Sequence, residues 1–174
     1  MNLGGLLSQS QSIPIIDWPV TFHFAKPGQK ERILIDAFIL PVSEADRARS
    51  RFEALQFLKT SPSSPFYKIF QKEEEESQNK RGGFKSSFEI PVNEISLEQQ
   101  YKFLAYALYT KDEAGNLGRL VKNEADYTLF REGIIFRVLD MLYEQYNELI
   151  DQEYPETLSK EKQKELEEEA LKKS

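Results

Sequence analysis

Val20-Thr21-Phe22-His23-Phe24-Ala25-Lys26-Pro27-Gly28-Gln29-Lys30-Glu31-Arg32-Ile33-Leu34-Ile35-Asp36-Ala37-Phe38-Ile39-Leu40 is the stretch whose reading decides the fold. Its opening residues alternate, with Val20, Phe22 and Phe24 on one face, and a repeat of two belongs to a half-buried strand. Lys26-Pro27-Gly28-Gln29 reads as a turn, because proline presets φ at the second position and glycine accepts a positive φ. From Arg32 to Leu40 the alternation resumes through Ile33, Ile35, Ala37 and Ile39. Together these segments predict a β-hairpin with a longer loop. The repeat then changes from two residues to three and four, so the chain is expected to be α+β: a small antiparallel hairpin or sheet, then a helical half with one long C-terminal helix and a charged tail.

Working outward, residues 1–12 read as a mobile leader, since MNLGGLLSQSQS lacks a basic start and has only a short apolar patch. Residues 13–154 are expected to form a single α+β domain. Ser43 caps a helix whose first turn carries Glu44 and Asp46. Its apolar stripe is Ala45, Ala48, Phe52, Leu55 and Leu58, and its outer face holds Arg47, Arg49 and Arg51. Thr60 to Pro65 breaks that helix, and a short helix runs from Pro65 through Phe70. Residues 62–83 form a candidate insertion, followed by a third strand in which Phe84, Ser86, Phe88 and Ile90 alternate. Ser96-Leu97-Glu98-Gln99 is a capping box that starts a helix with the stripe Leu97, Tyr101, Leu104 and Leu108. Asp112 to Asn116 is a turn. The longest helix is predicted from Glu124 to Gln152, on the stripe Tyr127, Phe130, Ile134, Val138, Met141, Gln145 and Leu149, with Ile135, Leu139, Leu142 and Tyr146 beside it. Residues 155–174 are a charged tail, rich in Lys and Glu and marginally helical when isolated.

The composition narrows the chemistry. The chain has 174 residues, twelve Phe, eight Tyr and one Trp, but no cysteine and a single histidine, His23. Enzymes commonly draw an acid, a base, a nucleophile or a metal ligand from the Cys/His set. Disulfides and cysteine-ligated zinc are ruled out. The formal net charge of −6 argues against non-specific binding to nucleic acid or to an anionic membrane. No stretch approaches the roughly 18–20 apolar residues that a membrane helix needs. No P-loop, G-x-G-x-x-G, H-E-x-x-H or G-x-S-x-G motif is present.

The remaining candidates favour adhesion over catalysis. His23 faces away from Val20, Phe22 and Phe24, and Asp36 lies on the partner strand. A catalytic reading would need a third positioned group, so His23 is read as a surface or cross-strand histidine. Glu73 to Glu76 is a solvated acidic run, because neighbours on a helix sit about 100° apart and cannot converge on one ion. Arg81-Gly82-Gly83 is of a type that single-strand binders can use, but one copy beside an acidic run does not point to nucleic-acid binding. No catalytic, cofactor or metal residue is therefore expected. Trp18, Arg47, Arg51 and Tyr146 are the candidate protein-interaction residues, since aromatic and arginine side chains dominate interfaces.

Several of these stretches resemble a known family. Trp18-Pro19-Val20-Thr21-Phe22, the Pro27-Gly28 turn and Ala37-Phe38-Ile39-Leu40-Pro41-Val42-Ser43-Glu44-Ala45-Asp46 resemble the opening of the tailed-phage tail assembly chaperones, the minor tail proteins related to the lambda G protein. Asp112-Glu113-Ala114-Gly115-Asn116, the acid-capped helix through Leu149 and the charged C-terminus are similar to that family's second half. The likeness covers residues 18–58 and 97–150, while residues 62–90 depart from it. The resemblance implies a non-enzymatic protein that binds the tape-measure protein and tail-tube subunits in the host cytoplasm during virion assembly. Two other functions suit the same composition: a permanent tail or baseplate adaptor of the virion, or an acidic inhibitor or adaptor of a host protein. Self-association is a further expectation.

Overall fold

The structure is a computed structural model and describes residues 2–9, 17–26, 28–79, 88–153 and 160–173. Its elements run α1 (Leu3–Gln9), β1 (Trp18–Ala25), β2 (Arg32–Ile39), α2 (Glu44–Thr60), α3 (Tyr67–Asn79), α4 (Val92–Ala107), β3 (Leu108–Lys111), β4 (Leu117–Arg119), α5 (Glu124–Gly133), α6 (Phe136–Glu153) and α7 (Lys160–Lys172). The fold is α+β, with one four-stranded antiparallel sheet in the order β1-β2-β3-β4.

The hairpin forms as its alternation predicts, in register from Trp18 opposite Ile39 to Ala25 opposite Arg32. Gly28 takes φ +70° in the connection, a value that costs glycine little. Val20, Phe22, Ala37 and Ile39 are buried on the inner face. The third strand differs from expectation. Residues 88–90 have no regular structure, and the rest of the segment expected to form it lies outside the described residues. The partner of β2 is instead β3, through Phe38 opposite Tyr109 and Ile39 opposite Leu108. β4 follows after the predicted 112–116 turn, where Gly115 sits at φ +82° and the Asn116 N–H donates to Asp112 Oδ1 at 2.8 Å.

Three helix readings change. In α2 the cap holds, with the Asp46 N–H donating to Ser43 Oγ at 3.2 Å. The buried residues, however, are Ser50, Ala54, Phe57 and Leu58, while Ala45 and Ala48 are exposed and Phe52 is 64% exposed. The face of small residues lets α4 approach closely, and that packing decides the buried side. Helix α4 starts at Val92, after Pro91, so Ser96 lies inside it and caps nothing. The Pro91 carbonyl accepts from the N–H groups of Glu94 and Ile95.

The long C-terminal helix is two helices. The Asp126 N–H donates to Asn123 Oδ1 at 2.8 Å, so the start is as predicted. Helix α5 then ends at Gly133, and Ile134 is extended. Gly133 is buried against Phe24, and a Cβ there would lie 2.1 Å from that ring. The Ile134 carbonyl accepts from the Tyr101 hydroxyl at 2.8 Å, which holds the chain in its unwound form. The break resets the phase, so α6 buries Leu139, Leu142, Tyr146 and Leu149 and leaves Met141 exposed. Beyond it, α7 is helical within the charged tail, and α1 is helical within the expected leader.

Candidate functional site

An open groove of about 450 Å³ lies between α2, α4 and the connection from β4 to α5. Its floor is Lys102 on α4, with Phe57 and Tyr127 beside it. The Lys102 Nζ stands 3.5 Å above the Tyr127 ring centroid and 5.7 Å from that of Phe57, a cation–π arrangement. Burial pushes the amine below the usual lysine range, against the pull of the Glu53, Glu98 and Glu124 carboxylates. The nearest of these acids, Glu53, is 4.0 Å away.

One wall pairs the Tyr106 hydroxyl with Glu53 Oε1 at 2.6 Å. Burial and then this carboxylate push the phenol up to about 12. The Arg119 guanidinium lies 4.7 Å from the Tyr106 ring and pairs with Asp46 at 3.3 Å. Lys122, Asn123 and Glu124 close the far side.

Behind the floor sits a buried polar centre. Glu98 is 1% exposed. It accepts from the Tyr127 hydroxyl at 2.5 Å and from Arg131 Nε through both oxygens, at 3.0 and 2.7 Å. The guanidinium also lies 5.4 Å from the Phe57 ring. Burial, reinforced by the Glu98 charge, raises the Tyr127 phenol. The three side chains tie α4 to α5, and Tyr127 joins this centre to the groove floor.

The interaction residues expected from sequence are scattered. Trp18 is half-buried at the start of β1 and packs on the core. Arg47 and Arg51 do share a groove, of about 200 Å³, with Ser96 and Phe103. Arg47 is not on the outer face, however: its guanidinium is 5.1 Å from the Phe103 ring. Tyr146 is not an exposed contact. It is 2% exposed, its ring meets Phe103 edge-on at 4.7 Å, and its hydroxyl accepts from the Val42 N–H at 2.9 Å. The phase reset at Ile134 is what turns it inward. His23 is exposed opposite Leu34, while Asp36 sits opposite Thr21 and accepts from its hydroxyl at 2.7 Å. Among the described residues no group of three or more His, Asp or Glu side chains is placed to hold a metal ion, and no helix is long and apolar enough to cross a membrane.

Sequence reasoning missed Glu98, Lys102, Tyr106, Arg119, Tyr127 and Arg131 as one constellation. The available signal was a charge inside an apolar helix stripe, since Glu98 sits beside Leu97 and Tyr101 and Arg131 beside Phe130. Ionisable groups seldom occupy such positions unpaired. Comparison with known protein families, with curated proteins and with solved structures finds no match for this chain.

Proposed function

We propose that this protein is a non-enzymatic tail assembly chaperone, which binds tape-measure and tail-tube proteins while a phage tail is built. The observation that carries the adhesive part of this reading is the outward face of α2. Ala45, Ala48 and Phe52 form an apolar stripe at helical spacing that the core leaves uncovered, with Phe52 64% exposed, before Leu55 at its end turns partly into the core. A helix with one apolar face in the core and another toward solvent suits docking of a partner helix. The small alanines permit close approach and the aromatic ring supplies an anchor. The groove runs alongside, since Gln56, one turn after Phe52, lines it. The identity of the partners rests on the family resemblance of the hairpin and of the Leu40-Pro41 to Asp46 run.

Co-expression with a tape-measure protein and a tail-tube subunit tests the proposal. The expected result is co-purification, or a gain in solubility of either partner. If neither occurs, the chaperone reading is wrong. Mass spectrometry of purified particles separates a chaperone, absent from the finished virion, from a permanent tail component.

A further inference from the structure

We propose that the groove between α2, α4 and the β4–α5 connection is a docking site for a partner peptide that carries a carboxylate side chain next to an apolar one. The proposal deepens the interaction reading by naming the partner's chemistry, and it rests on that reading for its biological sense.

Three observations meet in the groove. The first is the Lys102 ammonium. Its side chain is 12% exposed and the nearest carboxylate oxygen is 4.0 Å away. Among the described residues it makes no hydrogen bond. A cation largely removed from water, held over the Tyr127 ring and only loosely paired with Glu53, favours an incoming acceptor, and charge-assisted hydrogen bonds are the strong ones.

The second is the balance of charge. The chain carries a formal net charge of −6, yet Lys102, Arg119 and Lys122 gather in this one concavity. Of the two acids there, Glu53 already accepts from the Tyr106 hydroxyl. Arg119 is held in place by Asp46 and by the Tyr106 ring, with its side chain still 39% exposed. A guanidinium fixed by Asp46 and Tyr109 and still partly exposed is well prepared to bind a carboxylate.

The third is the apolar surface beside these charges. Half-buried Val121 lines the same groove, over the buried Phe57, Ala105 and Tyr127, so an apolar neighbour of the carboxylate has Val121 to pack on. Three cations in an acidic chain suit one or two carboxylates. They do not suit a polynucleotide, which is bound through many phosphates.

The test is fluorescence anisotropy of the full chain with a short labelled peptide of alternating glutamate and leucine, against its glutamine–leucine counterpart. The expected result is saturable binding of the acidic peptide alone, weakened several-fold when salt rises from about 0.05 to 0.5 M. Lys102→Met weakens it about tenfold, the scale of one charge-assisted hydrogen bond. Lys122→Glu, on the exposed rim where folding is not at risk, weakens it several-fold. Phe52→Ser, which adds no charge beside the groove, leaves it within about twofold while weakening co-purification with tail proteins, so the failure of the groove and the failure of the chaperone reading can be told apart. Equal binding of the glutamine peptide, no change with Lys122→Glu, or displacement by a single-stranded oligonucleotide at equal concentration would each overturn the proposal.

Discussion

Arg131 is the side chain on which the buried polar centre most depends. Its Nε holds both oxygens of a carboxylate that is 1% exposed. Removing one partner of such a pair strands a buried charge, at a cost of about 3–5 kcal/mol, whereas replacing the whole set by apolar groups of similar volume is close to neutral. Arg131→Met is therefore expected to lower the melting temperature by roughly 10 °C, and the triple change E98M/Y127F/R131M to recover most of it, both read by calorimetry. A second residue-scale prediction concerns pH. Burial raises the phenols of Tyr101, Tyr106, Tyr127 and Tyr146 above their ordinary value, Tyr106 to about 12. An unfolded tyrosine ionises near 10. The stability these groups contribute is therefore intact below about pH 10 and is lost as pH climbs through 12. The lowered Lys102 amine acts in the opposite direction and below about pH 10.4, where an unfolded lysine ionises, so it does not offset the loss above that pH. Circular-dichroism melts should hold level from about pH 7 to 9.5 and fall steeply above 10. A flat profile to pH 12 would contradict the reading of these phenols as buried.

At the scale of the element, α2 and the α5–α6 break carry the argument. In α2 the first part of the sequence stripe, Ala45, Ala48 and Phe52, lies outside the packed face, while Leu55 and Leu58 at its end meet the core. Phe57→Ala should cost about 3–5 kcal/mol, while Phe52→Ser should stay within about 0.5 kcal/mol, a contrast measurable by urea unfolding. At the break, Gly133→Ala should destabilise by about 1–3 kcal/mol through its clash with Phe24, although the same change in an open helix stabilises by about 1 kcal/mol. Phe24→Ala in the same chain should restore the helix-stabilising sign. These elements also mark where the sequence is legible. The β1–β2 hairpin was readable because eight residues of alternation on each strand leave no competing period. Strands β3 and β4 were not, because four and three residues cannot display a period, and Leu108 also completes the stripe of α4. The break after Gly133 hid because Ile134 and Val138 continue the helical spacing across it. What decides it is Phe24, far away in sequence. The groove was invisible for the same reason, as its residues come from four separate elements.

For the whole molecule, the sheet and the α4–α5–α6 packing form the scaffold, and α2 presents Phe52 outward beside a groove that gathers Lys102, Arg119 and Lys122 with Glu53 and Glu124. In the function proposed above, the outward face of α2 docks to proteins of a growing phage tail. The most direct measurement is co-purification of a tape-measure or tail-tube protein with the native chain and with Phe52→Glu, with the melting temperature of both recorded. The account predicts a complex with the native chain, and its loss in the variant at an unchanged melting temperature. No complex with either protein, or a complex that Phe52→Glu leaves intact, would contradict it.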